Sequence, residues 1–471
     1  MEGSHKPDLR QSPVFRRLEQ FVTEVRSQPA GSLGTFADFE LAVRGLLMGL
    51  GREILAEELA RYDVTAPEIE VEDVTYRRAL RCRQTYMSAC GPVTLERELY
   101  RPRGGDGRAI CPLEERVGTV GGFWTPRAAR EAANLVAHVT PGEAETLLRE
   151  MTGMDPSKTS LDHLPKTLSA VWETNRVAFE ATVRQGETIP VEATTVAISL
   201  DGVLAPMRDG EGAAKQEQTE GKRPTGPAGY REVGCATLSF YNAEGDRLST
   251  LRWARMPEVK KVTLCAQIEA ELRSVLASRP DLQLVKIADG AACNWEFLSS
   301  LEPAGEEILD FFHAAEHLKS ALDAAYGEYS LGSRAAFEKH RLILKESERG
   351  VDQVIRVLTY LRKRGTGRKV VTRELRYFRN QRARMRYATY LSQNLPIGSD
   401  VLEAACKTLV AQRMKRSEMR WLSSGGQAIL TLRSLIQSDR WERAWGLLSE
   451  AFKTPVLVTY QVRHLTVLKA A

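Results

Sequence analysis

From residue 190 onward the hydropathy pattern changes period in a fixed order, and that order limits the folds open to this chain more than any bulk property does. VAISLDGVL (196–204) reads as a buried strand. REVGCATLSFYN (231–242) and RLSTLRWAR (247–255) are alternating runs joined by AEGD, a hairpin signal. VTLCAQIEAELRSVLASRP (262–280) sets Leu264, Ile268, Leu272 and Leu276 at four-residue steps, an amphipathic helix ended by Pro280. LQLVKIADG (282–290) is another buried strand and EEILDFF (306–312) a fifth. Helical patterns then run to about residue 395, and a final helix starts near Ser399. Three antiparallel strands followed by two that are reached through helical crossovers predict a mixed α/β sheet.

The preceding part has a different texture. Residues 1–62 read as helix, with Phe39, Leu46, Leu50 and Ile54 among apolar positions near the 3.6 period. Between about 70 and 113, β-branched and aromatic residues flank a Gly91-Pro92 break, which suggests a hairpin. Cys82, Cys90 and Cys111 fall here, but a zinc site wants four ligands at short paired spacings. Residues 126–176 are helical again. Thr140 before Pro141 supplies an N-cap and a first-turn proline, and Ser157 or Ser160 can cap the next helix. Two helices joined by a tight turn form a helix-turn-helix pattern whose second helix can enter a major groove, although plain helical bundles share that texture. A polar, Gly-rich stretch from Met207 to Gly229 is too hydrophilic to pack.

Charge is unevenly spread. The net charge is only +5, yet residues 341–420 hold 20 Lys/Arg against 7 Asp/Glu, so the remainder of the chain is acidic. Arg362 to Arg386 contains eleven cations and one acid, Glu374, with Tyr377 and Phe378 interleaved and Tyr387 directly after. Such a stripe is the footprint expected of a nucleic-acid binder, or else a solvated helical face. No run of 18 apolar residues occurs, so no membrane span is expected. The N-terminal residues lack the apolar segment of a secretory signal, and the seven scattered cysteines show no C-x-x-C; both point to a reducing, cytoplasmic setting.

The element order is the ribonuclease H-like plan, in which carboxylates at strand ends hold two divalent metals. Asp201 ends the first strand (SLDGV), Asp289 ends the fourth (KIADGA), and Glu403 lies in the late helix (SDVLEAACKTLV). Hard cations such as Mg²⁺ take carboxylate oxygens, and two ions about 3.5–4 Å apart can clamp the attacking and leaving oxygens of a phosphodiester. An Asp-Gly after a strand is otherwise most often a turn. Two of them, each ending an apolar strand of one sheet, weigh against that plain reading.

SLDGV, REVGCATLSFY, IADGAACNWEF, DFFHAAEHL and SDVLEAACKTLVAQRMKRSEMRWLSSGGQAILTLRSLIQSDRWERAW resemble the ISKra family of bacterial insertion-sequence transposases over roughly 115–450. The C-terminal block, an acidic helix running into KRSEMRW and GGQAILTLR, is its most specific part. The family is of the DDE type, so the resemblance implies Asp201, Asp289 and Glu403 as catalytic and metal-binding triad, with two Mg²⁺ or Mn²⁺ ions. It also implies that the helices between Asp289 and Glu403 are an insertion into the sheet. Asp310 and His313 match the D-x-x-H of such enzymes and could orient a nucleotide, support the metal shell, or form a structural pair. The N-terminal hairpin holds fewer cysteines than members often carry.

Among the cations, Arg382, Arg384 and Arg386 in the basic block are candidate DNA contacts. So are Lys407, Arg413, Lys415, Arg416 and Arg420, which follow Glu403 and could neutralise phosphates without reading sequence. Trp421 and Trp295 could stack on a base or serve as packing. The domains expected are a helical and hairpin region (1–115), a helix-turn-helix-like DNA-binding region (116–190), a catalytic core (191–313), a basic helical insertion (314–397) and C-terminal core helices (398–471). The function expected is cleavage and strand transfer at transposon ends by a nucleoid-associated homodimer or larger assembly acting on double-stranded DNA. The alternatives are a structure-selective nuclease without strand transfer and a non-catalytic DNA-binding regulator.

Overall fold

The structure, a computed structural model, describes residues 12–458 apart from 30, 33, 106 and 209–228. Most of the Gly-rich stretch between Met207 and Gly229 thus lies outside the described residues. The chain forms two compact units, Met1–Thr174 with Trp445–Ala471, and Asn175–Ala444. The division falls ahead of residue 190, and the residues from Trp445 group with the first unit.

The first unit opens with α1 (Pro13–Ser27) and α2 (Phe36–Arg61), the latter started by a reciprocal cap between Thr35 and Asp38. Three strands follow, β1 (Glu68–Val71), β2 (Val74–Ser88) and β3 (Gly91–Pro102), with β2 and β3 in the expected hairpin. Gly91 makes its turn at φ +110, where an added Cβ would meet the Gly153 carbonyl oxygen at 2.4 Å. Next come α3 (Pro112–Val117), α4 (Pro126–His138), α5 (Pro141–Met151) and α6 (Lys158–Thr174). Thr140 and Glu143 cap α5 reciprocally, and the Ser157 hydroxyl accepts the Ser160 N–H at the start of α6. The three cysteines of this region sit in different surroundings: Cys82 opposite Arg97 in the hairpin, Cys90 against Gly51, and Cys111 buried in the core.

The second unit starts with α7 (Arg176–Gln185) and then builds the mixed sheet. Its strands are β4 (Thr195–Pro206), β5 (Tyr230–Tyr241) and β6 (Arg247–Arg255), then α8 (Val262–Ser278), β7 (Gln283–Ala288), α9 (Ala292–Ser300) and β8 (Glu306–Leu309). This is the element order read from the sequence. In space the order is β6-β5-β4-β7-β8, with β4, β5 and β6 antiparallel and β7 and β8 parallel to β4. The central strands are nearly continuous apolar runs because helices cover both faces. EEILDFF is strand only to Leu309; Asp310 already caps the next helix.

Helices α10 (Phe311–Tyr326), α11 (Leu331–Glu346), α12 (Gly350–Arg364), α13 (Arg368–Asn380) and α14 (Tyr387–Ser392) fill the interval before the late helix. That helix, α15 (Asp400–Ala405), runs on through a π-helical turn (Cys406–Ala411) into Gln412–Met414. Its buried positions 402, 405, 406, 409, 410, 413 and 414 form one stripe at helical spacing. The stripe packs on Ala205, Val233 and Cys235 of the sheet. α16 (Ser423–Gln437) lies against β6, and α17 (Trp441–Ala451) leads to β9 (Leu457–Val458), which pairs antiparallel with β1. Among the described residues no helix is long and apolar enough to cross a membrane.

Candidate active site

Strand register brings the candidate acids level. The last paired residues of β4 and β7 are Ser199 and Ile287. Two residues on, Asp289 stands just past the end of β7, whereas Asp201 does not end its strand as expected, because β4 continues against β5 to Pro206. The last pair of β7 and β8 is Ala288 and Leu309, which sets Asp289 beside Asp310. Three aspartates therefore lie at matching register positions on adjoining parallel strands or just past their ends, and neighbouring strands are spaced about 4.8 Å across the sheet. In open α/β sheets the carboxyl ends of parallel strands are where ligands bind.

The first two carboxylates are oriented by nearby donors and keep one oxygen open. Asp201 Oδ1 accepts the Gly202 N–H at 2.6 Å. Asp289 Oδ1 accepts the Ala291 N–H and the Asn294 side-chain amide, both at 3.1 Å. Among the described residues, Oδ2 of each accepts no hydrogen bond. Burial pushes the Asp201 carboxyl above the usual range; the Gly202 N–H opposes this, and the charge of Asp289 adds to it.

Asn294 is the joint of the site. Its buried amide also donates to the Leu200 carbonyl at 3.3 Å, so one side chain ties β4 to Asp289. Its Oδ1 accepts Lys261 Nζ at 3.2 Å, and Lys261 pairs with Glu232 at 2.8 Å. Burial works against the lysine charge, but Glu232, Cys293 and Asp201 together hold the ammonium pKa above its ordinary value. Gly202 leaves room for Glu232, whose carboxylate carbon lies 2.3 Å from where a Cβ would stand. Trp295, the next residue, donates its indole N–H to the Asp289 carbonyl at 2.6 Å. Asn294 belongs to the IADGAACNWEF motif, so its signal was present; nothing marked Lys261 before the register was known.

Asp310 does different work. It is fully buried, Oδ1 accepting the His313 N–H at 2.9 Å and Oδ2 accepting the Ser399 N–H. Both oxygens are taken, so Asp310 caps α10 and pins the residue that precedes α15. This is the structural reading of D-x-x-H. His313 stands near enough to favour the Asp201 charge, with Glu316 at 3.6 Å from its Nδ1.

Glu403 rides on α15, its N–H bonded to the Ser399 carbonyl at 2.8 Å. One turn on, Cys406 packs against Cys235, the cross-strand partner of Asp201, and the neighbouring thiol together with burial pushes the Cys235 thiol well up. The helix is thus laid over the strand face that carries Asp201. Glu403 itself is exposed, as is Lys407. Among the described residues no three His, Cys, Asp or Glu side chains are gathered closely enough to hold an ion. Register joins Asp201 to Asp289 and leaves Glu403 outside such a group.

The basic block reaches the site through Tyr377. Its ring edge rests 2.3 Å from where a Cβ on Gly290 would stand, and it stacks on His317 with centroids 3.6 Å apart. His317 Nδ1 lies 2.6 Å from Glu374, the lone acid of the stripe. Burial opposes the Glu374 charge, yet His317 and Arg373 hold its pKa below the usual range.

The candidate DNA-contacting cations differ in their surroundings. Arg382 pairs with Asp352 at 2.6 Å, Arg386 with Glu306 at 3.1 Å, and Arg384 with Glu307 at 2.7 Å. Arg384 also lies 4.0 Å over the Trp295 ring and is mostly covered. Arg413, expected at a DNA surface, is buried at 2% exposure on the inner stripe of the late helix, 5.2 Å from the Trp421 ring. Trp421 packs against that cluster and donates to the Met414 carbonyl at 3.0 Å, the packing role of the two read from sequence. Lys415 and Arg420 are exposed and Arg416 half-buried. No protein-family model matches the chain, and no curated protein matches it.

Proposed function

We propose that this chain is a DNA transposase of the DDE type that binds mobile-element ends, cuts a phosphodiester and joins the freed 3′-hydroxyl to target DNA. The observation that carries the reading is the pair Asp201 and Asp289, level on adjoining parallel strands, each oriented through one oxygen and open at the other. The spatial strand order, with the first strand central, supports a ribonuclease H-like core, in keeping with the resemblance to ISKra transposases.

The open carboxylate oxygens are hard donors that suit Mg²⁺ or Mn²⁺, and Glu403, which stands outside that pair, would have to turn inward to complete the donor set. Two such ions, when bound, would supply water activation and charge stabilisation at the leaving oxygen. The chain's own residues do the positioning. Asn294 and the Ala291 N–H aim Asp289, the Gly202 N–H aims Asp201, and Asp310 anchors the start of the Glu403 helix through Ser399. Lys407, Lys415, Arg416 and Arg420 neutralise phosphates near that helix. The helices α5 and α6 form the end-binding element, and the helices from α10 to α14 are an insertion in the core. Holding two ends together calls for a dimer or larger assembly, acting in the cytoplasm on nucleoid DNA.

Incubating the full chain with end-bearing DNA and Mg²⁺ tests this. Cleaved and joined products are expected from wild type, and Asp201→Asn and Glu403→Gln should each abolish cutting while leaving end binding intact. Cleavage with no joined product would favour a structure-selective nuclease. The exposed position of Glu403 favours one further reading, a DNA-binding regulator with an inert sheet. Equal inactivity of wild type and both variants in Mg²⁺ and Mn²⁺, with end binding retained, would select it.

A further inference from the structure

A cleft opens beside the first turn of α15. It encloses about 500 Å³, within the range of about 300–1,000 Å³ typical of small-ligand sites. Three cations line it: Arg247 from β6, and Arg341 and Lys345 one turn apart on α11. Among the described residues none of the three has a salt-bridge partner, unlike Arg382, Arg384 and Arg386. Glu338 and Glu346 line a neighbouring hollow together with Arg341 and Lys345, at more than ion-pair distance.

The wall is aromatic. Phe311 and Phe312 meet edge to face at 5.7 Å, and Arg341 lies 5.7 Å over the Phe311 ring. Phe312 remains 38% exposed. Its ring lies against Gly398, where a Cβ would stand 2.7 Å from the ring edge, so the glycine keeps this face flat. The single acid in the cleft is Asp400, and burial, with Asp310 adding, pushes its carboxyl up. The site thus offers three cations against one acid beside a partly exposed aromatic ring, with Asp400 three residues before Glu403. Aromatic faces bind bases without sequence preference, while cations track the phosphates.

We propose that this cleft holds one nucleotide of a DNA single strand, its phosphate on Arg247, Arg341 and Lys345 and its base against Phe312. The inference rests on the DNA-processing reading above and adds the strand's path past the Glu403 helix.

Fluorescence anisotropy of a short labelled oligothymidine with the full chain tests it, across about 50 to 200 mM salt. Arg341→Ala with Lys345→Ala should weaken binding at least tenfold and lower the slope of log affinity against log salt by about 0.7, the share of the one phosphate they hold. Phe312→Ala should weaken binding about tenfold with the slope unchanged, since it removes stacking and no charge. Circular dichroism melts matching wild type would establish that both variants are folded; Arg247→Ala, an exposed position, repeats the charge test independently. Asp201→Asn should bind the oligonucleotide as wild type does. Unaltered affinity and slope in the charge variants would overturn the proposal, and so would wild type that ignores the oligonucleotide. Charge variants that weaken binding while Phe312→Ala does not would also overturn it, leaving only an anion site. Cleavage of end-bearing DNA reports separately on the Asp201 site, so the two readings can fail apart.

Discussion

Asn294→Ala probes the joint on which the carboxylate geometry depends. The change removes a neutral hydrogen bond to the Leu200 carbonyl at 3.3 Å, worth about 1 kcal/mol. It also removes two bonds to charged partners, Asp289 at 3.1 Å and Lys261 at 3.2 Å, worth about 1.5–3 kcal/mol each. The gross loss is about 4–7 kcal/mol. Two contacts survive and reduce it: the Ala291 N–H still serves Asp289 Oδ1, and Glu232 still pairs with Lys261. A net loss of about 3 kcal/mol in unfolding free energy remains. Urea unfolding of the full chain, followed by tryptophan fluorescence and circular dichroism, reads it directly. Single-turnover cleavage should fall together with stability, because Asp289 loses its orientation. Asn294→Asp should cost more still, since it replaces a donor with a carboxylate beside Asp289. A loss below about 1 kcal/mol with cleavage unchanged would refute the reasoning, for it would mean the amide holds neither strand nor acid.

Asp201→Asn should raise the thermal midpoint near pH 7 without added divalent ions. Burial lifts the folded pKa above the ordinary 3.8, so the ionised carboxylate costs stability above the raised value and nothing below 3.8. The gain from Asn should accordingly vanish as pH falls through that window, and melts showing a pH-independent gain would contradict this assignment. Arg384→Ala should cost about 2 kcal/mol, because it strips a covered ion pair and a cation–π contact at once. Arg382→Ala with Arg386→Ala, both side chains more than half exposed, should leave stability nearly unchanged and lower the salt slope of duplex binding by about 1.8. An unchanged slope would show that Asp352 and Glu306 keep these two arginines off phosphate.

Much of the second unit could be read from the chain because its signals are local. Period-two apolar runs, the AEGD turn and Pro280 mark strands and a helix over windows of a few residues, and the observed elements follow that order. The Thr140–Glu143 cap was legible for the same reason, as donor and acceptor are three residues apart. Arg413 shows a local signal that was misread. It falls on the same buried stripe as Leu402, Ala405, Cys406, Leu409 and Val410, but a cation in a basic run was taken for surface.

Strand register decided the rest. Whether Asp201 stands level with Asp289 depends on which residues of β4 and β7 pair, and a shift of one residue would turn the carboxylates to opposite faces. No window of sequence holds that information. Asn294, Lys261 and Glu232 meet only because three separate elements converge there. The arginines found their acids across even longer intervals, Arg384 reaching Glu307 and Arg386 reaching Glu306. Charge acts through space and carries no record of separation along the chain, so a block of eleven cations looks alike from end to end until packing chooses which are paired.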